Sequence, residues 1–260
     1  KFYFLGQKLN SDYNFFLKIK KYSKWYLLHL VNTQIYDFID KYLIKIFIGP
    51  VALAIYSIPY QLAGKITIFS KSISAVLLPE ISYGKEKTNF KYSINLYTFI
   101  VPLILLSIFP ILNKLLQLWL NDQFTLTILT LTKIFLIISW ISGISHILIV
   151  YFEGKQKIKF NSLLELYFII PFLIVIFLIL KSYNDLIYIS YVLLVKEIIL
   201  VIFRMNKINK KIDNSLTIYA NIFLVIINLI VSIYYGTYFY IFFIILISFN
   251  LIIFLKSLKK

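Results

Sequence analysis

The chain has 260 residues, of which 60% are hydrophobic and only 15% charged, and its mean hydropathy is +0.85. That balance excludes an ordinary water-soluble domain, in which charged residues are far more frequent. A net charge of +16 would suggest a nucleic-acid partner in a soluble protein, but here the lysines flank apolar runs, where helices leave a bilayer, so no nucleic acid is expected.

Phe2, Tyr3, Phe4 and Leu5 have the look of the end of an apolar span, and the stretch from Gln7 to Lys24 is polar and basic. Residues 1–24 are therefore expected to close a preceding span and form an amphipathic linker between two membrane halves, the chain being the later part of a longer protein. Eight candidate spans follow, at 27–47, 51–78, 93–112, 126–150, 161–180, 185–203, 216–235 and 238–255. Each is close to or above the ~20 residues needed to cross a ~30 Å hydrocarbon core. Transmembrane barrels alternate apolar and polar residues, and the run from Ile169 to Phe177 shows no such alternation. The predicted fold is all-α, a polytopic bundle of about eight transmembrane helices.

Lysines fall on every second connection. Lys85, Lys87 and Lys91 follow the second span, Lys155, Lys157 and Lys159 the fourth, and Arg204, Lys207, Lys210 and Lys211 the sixth, while the intervening loops offer Lys114 and Lys181. The positive-inside rule then puts both ends of the chain in the cytoplasm, as an even number of spans also requires. Residues 25–205 read as a six-span unit, and 206–260 as a basic loop with two added helices joined near Gly236. The loops leave no room for a soluble catalytic domain.

Ionisable residues inside spans carry a functional expectation. On the first span Thr33, Tyr36, Asp37, Asp40 and Lys41 share one helical face, which His29 extends. They either line a cavity, where two carboxylates and a lysine suit an ion or a charged substrate, or pair at the outer interface. On the second, Ser57, Gln61 and Lys65 lie four residues apart, with Tyr56, Tyr60, Thr67 and Lys71 nearby, and Pro59 and Gly64 are placed to bend the helix. Ser139, Ser142 and Gly143 suit close helix packing, His146 on the same face is a lesser functional candidate, and Glu165 and the Lys196–Glu197 pair suit a structural or interfacial role. There is no cysteine, and His29 and His146 are the only histidines, so neither a disulfide nor a zinc site is expected. No phosphate loop, nucleophile elbow or metal-binding helix motif occurs, and neither a cofactor nor enzymatic activity is expected.

Three pieces carry a family likeness: Asp40-Lys41-Tyr42-Leu43-Ile44; Phe47-Ile48-Gly49-Pro50-Val51-Ala52-Leu53-Ala54-Ile55-Tyr56; and Ala75-Val76-Leu77-Leu78-Pro79-Glu80-Ile81-Ser82. With Phe152-Glu153-Gly154-Lys155-Gln156-Lys157, they resemble the polysaccharide biosynthesis flippases, exporters of lipid-linked O-antigen or capsule repeat units in the MATE-like superfamily. The resemblance runs from about Lys24 to Arg204. It implies the second lobe of a two-lobed transporter plus two extra helices, in a bacterial cytoplasmic membrane, with the first lobe, membrane lipids and a polysaccharide polymerase as expected partners. It further implies a polyprenyl-pyrophosphate-linked oligosaccharide substrate moved by alternating access. Lys41, Lys65, Lys71, Tyr36, Tyr60 and Gln61 become the cavity candidates, and Asp37 and Asp40 the ion-coupling candidates. A cation-coupled drug or metabolite exporter of the same superfamily, a membrane polymerase or glycosyltransferase, and an inactive remnant are the alternatives.

Overall fold

Apolar character and burial run in opposite directions among the helices, as they do when the solvent is lipid. The structure, a computed structural model, describes residues 13–84, 86–183 and 185–209. It comprises α1 (Tyr13–Phe47), α2 (Pro50–Gly64), α3 (Thr67–Ser82), α4 (Glu86–Leu120), a 3₁₀ turn (Asn121–Gln123), α5 (Leu126–Gly154), α6 (Ile158–Ser182) and α7 (Leu186–Asn209), with no strand among the described residues. The most apolar helix is α6, yet only 33% of its most apolar window is buried, against 78% for the less apolar α5. On α6, Tyr167, Ile170, Ile174 and Leu178 form an exposed stripe, while Ile169, Phe172, Ile176 and Leu180 face inward. Apart from the Tyr167 hydroxyl, the outward stripe has nothing polar to offer water. The chain is an all-α, multi-pass membrane bundle.

Helix α5 is its axis, packed against α2, α3, α4, α6 and α7, while α1 closes the side formed by α2 and α6. By length and composition α5, α6 and α7 can each cross a membrane, and the bent pairs α2 with α3 and the two halves of α4 raise the number to five. Helix α1 is long enough, but Asp37, Asp40, Lys41 and Lys45 set it apart from those apolar spans. It runs unbroken through residue 24, so the basic segment from Tyr13 onward is continuous with the expected span. The spans expected at 216–235 and 238–255, and residues 1–12, lie outside the described residues.

The expected bend in the second span is present. Helices α2 and α3 meet at 41° across Lys65 and Ile66. At the break, the Lys65 and Ile66 amides donate to the carbonyls of Leu62 and Ala63, at 3.2 and 3.0 Å, in the tighter i to i+3 pattern. Thr67 Oγ1 donates to the Gly64 carbonyl at 2.7 Å, and Ser70 Oγ to that of Thr67 at 2.8 Å. Short-range bonds and hydroxyls thus satisfy the backbone groups that a break would otherwise expose in the bilayer. Helix α4 bends by 44° between Leu105 and Ser107, with Pro102 and Pro110 on either side. Between α1 and α2, Gly49 adopts φ +117° and ψ 175°, a region essentially closed to residues with a Cβ, and Pro50 follows at the first turn of α2.

Gly143 lets α4 approach α5, the packing role its sequence context suggested. A Cβ there would fall on the hydroxyl and Cζ of Tyr97, whose ring is 1% exposed and whose hydroxyl donates to the Trp140 carbonyl at 3.3 Å. Because the ring is enclosed it has little room to retreat. Gly143→Ala is expected to destabilise the bundle by about 1–3 kcal/mol, the usual scale of overpacking. Thermal unfolding in detergent should show the loss, and adding Tyr97→Leu should recover part of it.

Candidate functional site

A row of polar residues on one face of α1 enters the interior of the bundle. His29, Asn32, Tyr36 and Asp40 recur at helical spacing, and each is at least nine-tenths buried. Groups in such a position require partners, because an unpaired buried polar atom costs more than an ordinary hydrogen bond returns.

The deeper pair, His29 and Asn32, bonds to α6, whose polar side chains are in turn held from α7 and α5. The Arg204 guanidinium on α7 donates through Nε to Asn161 Oδ1 at 2.7 Å, through Nη1 to Ser145 Oγ at 2.6 Å and through Nη2 to Glu165 Oε1 at 2.7 Å. The other Glu165 oxygen lies 2.7 Å from His29 Nδ1, which Asn161 Nδ2 also approaches at 3.1 Å. Asn161 Nδ2 donates to Glu165 Oε1 at 3.0 Å. Asn32 Nδ2 donates to the Ser162 carbonyl at 2.9 Å, and Tyr36 Oη to that of Glu165 at 2.8 Å. One cluster therefore joins α1, α5, α6 and α7.

Its principal cation departs from the expectation. Arg204, which the lysine pattern groups with Lys207, Lys210 and Lys211 as a loop charge, lies on α7 and is 2% exposed. Its position at the end of an apolar run, next to lysines, is what a membrane-flanking residue looks like. The helical period was the available signal: Leu193, Leu200, Val201, Arg204, Met205 and Ile208 make one buried stripe.

Further along α1, Asp40 is 1% exposed and accepts from Tyr56 Oη on α2 at 2.5 Å and from the Lys41 amide at 2.8 Å. Tyr56 and Tyr60 both meet the Phe135 ring edge to face, with centroids 5.0 and 5.6 Å away. Lys41 Nζ sits 3.6 Å from the centroid of the Tyr60 ring and donates to the Asp37 carbonyl. Tyr60 Oη reaches Asp37 Oδ1 at a long 3.4 Å, at the exposed rim. From α7, Lys196 lies over the rings of Tyr36 and Phe172, at 4.3 and 5.0 Å, and pairs with Glu197 at 3.0 Å. Side chains at i and i+1 on a helix ordinarily diverge, so this pair has turned into one crevice. Its rim alternates acid, base and tyrosine, a surface able to exchange a proton or a cation or to grip polar hydroxyls.

Of the eight sequence candidates, Tyr36, Asp37, Asp40, Lys41 and Tyr60 come together at this crevice. Gln61 on α2, Lys65 at the break and Lys71 on α3 stand apart from it, each exposed, and make no hydrogen bond or ion pair to a described residue. Ser72 is exposed as well. His146, half-buried, is bonded to Ser74 at 3.0 Å and ties α5 to α3. Among the described residues no group of three His, Asp or Glu side chains is arranged to hold a metal ion.

Removing one member of the deep cluster should cost more than removing the whole. Glu165→Ala leaves the guanidinium buried without its carboxylate and is expected to destabilise by about 3–5 kcal/mol. Glu165→Leu with Arg204→Met should lose substantially less, as measured by thermal unfolding of purified protein. Equal losses would mean that the charges are not energetically coupled.

Comparison with known proteins bears out the resemblance seen in the sequence. Residues 1–85 match the family described as polysaccharide biosynthesis protein. Over 176 residues the chain is 19% identical to the Shigella flexneri protein named "Putative O-antigen transporter", covering 66% of this chain. The chain spans less than half of that relative, 42% of its length. No solved structure matches.

Proposed function

We propose that this chain is the second lobe of a flippase that moves a polyprenyl-pyrophosphate-linked oligosaccharide of the O-antigen or capsule type across a bacterial cytoplasmic membrane by alternating access. The observation that carries the proposal is the exposure of Gln61, Lys65 and Lys71 along the bent α2–α3 span. Unpaired cations within an apolar span are costly against lipid tails and favoured against water or an anionic ligand. The family match and the distant O-antigen relative agree with that substrate class.

In this reading Lys65, Lys71 and Lys41 meet the pyrophosphate, while Tyr36, Tyr60 and Gln61 present hydrogen-bonding groups to sugar. Asp37 and Asp40 couple an ion gradient: Asp37, at the rim, exchanges the ion, and Asp40, held by Tyr56, shapes the site. Residues 25–205 form the working lobe, 206–260 add two helices, and both termini face the cytoplasm, on the side of the lysine-rich connections. A first lobe of similar size completes the cavity, and the moved repeat unit passes to a polysaccharide polymerase. The chain itself makes or breaks no covalent bond.

One feature favours a second reading. The tyrosine rings of the crevice already carry Lys41 and Lys196 beside Asp37, Asp40 and Glu197, positions that an organic cation would take over in an exporter of cationic compounds.

Cells lacking their own flippase discriminate the two. Export of lipid-linked repeat units should be restored by this lobe joined to its first lobe. Lys65→Glu should reduce that export at least tenfold, whereas Lys65→Arg should largely preserve it, with equal amounts of protein in the membrane. Unchanged export by Lys65→Glu, or resistance to cationic dyes without any export, would favour the exporter.

A further inference from the structure

At the end of the bundle carrying the α5–α6 connection, α1, the start of α6 and the end of α7 border an open-sided hollow of about 560 Å³. That volume lies within the ~300–1,000 Å³ range of small-ligand sites. Lys21 comes from α1, Lys157 and Lys159 from the start of α6, and Lys207 from the end of α7; no carboxylate lines it. Trp25 and Phe160 form much of its wall. Lys159 Nζ lies 5.1 Å from the Trp25 ring centroid, and Lys207 Nζ 5.3 Å from that of Phe160. These two lysines are therefore steered by aromatic faces instead of by acids. The wall is itself anchored, since the Trp25 carbonyl accepts from Ser162 Oγ at 2.7 Å.

Two further properties select an anion. Helix α6, 25 residues long, begins at this mouth with no side-chain cap, so its first-turn amides and the positive end of its dipole add to the lysine field. The hollow also mixes that charge with Ile158, Phe160 and Leu163, a combination suited to an amphipathic occupant at the level of the headgroups. Basic pockets between transmembrane helices on the cytoplasmic side are suited to acidic lipid headgroups.

We propose that this hollow is a site for the phosphate of an anionic glycerophospholipid, drawn from the leaflet that borders the lysine-rich end. The lipid clamps α1 to the start of α6 and the end of α7 beside the Arg204 cluster and is a resident of the protein, not its cargo. The inference rests on the reading of the chain as membrane-spanning, and only the choice of leaflet rests on the proposed orientation.

Native mass spectrometry of the full purified chain, titrated with dioleoyl-phosphatidylglycerol or dioleoyl-phosphatidylcholine, tests it. One phosphatidylglycerol should be retained in preference to phosphatidylcholine. Affinity should fall about fivefold for each of Lys157, Lys159 and Lys207 changed to Gln, following about 1 kcal/mol per basic residue at an anionic surface. Arginine at the same three positions should retain binding, which guards against a loss due to misfolding. Equal retention of the two lipids, or phosphatidylglycerol binding unaltered in the triple glutamine variant, would overturn the proposal. Displacement of the bound lipid by equimolar undecaprenyl diphosphate would also overturn it, assigning the hollow to the transported lipid. Failure of export in the cell assay, with phosphatidylglycerol binding intact, would count against the flippase reading and leave this site standing.

Discussion

A carboxylate enclosed where four helices of the bundle meet dictates much of the rest of this fold. Glu165 is 4% exposed, and in a low-dielectric interior its charge is tolerable only if nearby groups neutralise and hydrogen-bond it. Arg204 supplies the opposite charge, His29 and Asn161 the additional hydrogen bonds. Each contributes through a different part of the chain, so satisfying one side chain fixes the mutual register of α1, α6 and α7, and Ser145 extends the constraint to α5. Apolar packing cannot supply this specificity alone, because lipid tails compete for the same surfaces.

With that end of the bundle fixed, the opposite part of the same stripe is left for more labile interactions. Tyr36 links the two regions: its hydroxyl is bonded to the Glu165 carbonyl while its ring lies beneath Lys196. Beyond it, Asp37, Lys41 and Tyr60 interact through a long hydrogen bond, a ring face and a backbone carbonyl, contacts more easily exchanged than a buried guanidinium–carboxylate pair. The stripe thus carries a rigid ionic lock at one end and exchangeable groups at the other, so that small side-chain changes at the rim occur against a fixed frame.

Much of this was legible in the sequence because helical spacing alone groups residues on a face. Tyr36, Asp37, Asp40 and Lys41 fall together at offsets of one, three and four, and Pro59 with Gly64 marked where the second span bends. Which members of a face would be buried was not legible. Asp40 and Asp37 are three residues apart, yet one is enclosed by Tyr56 and the other lies at the rim, a distinction set by the position of α2. Glu165 and Arg204 are 39 residues apart on different helices, and nothing local reveals their pairing. The adjacent lysines drew Arg204 towards the loop because the positive-inside pattern does not separate a charge beside the membrane from one turned inward.

Whether Gln61, Lys65 and Lys71 face water inside the bilayer decides between a pathway and a packed face, and the absence of cysteine from this chain makes this directly measurable. Single cysteines at these three positions, and at Ile174 on the exposed apolar stripe of α6 as a lipid-facing control, can be treated in intact membranes with a charged, membrane-impermeant maleimide. Modification is expected at 61, 65 and 71, slowed by lipid-linked substrate, with Ile174→Cys unreactive. Silence at all three, with reaction only after detergent is added, would mean that the polar face of α2 and α3 is buried against protein or lipid and lines no pathway.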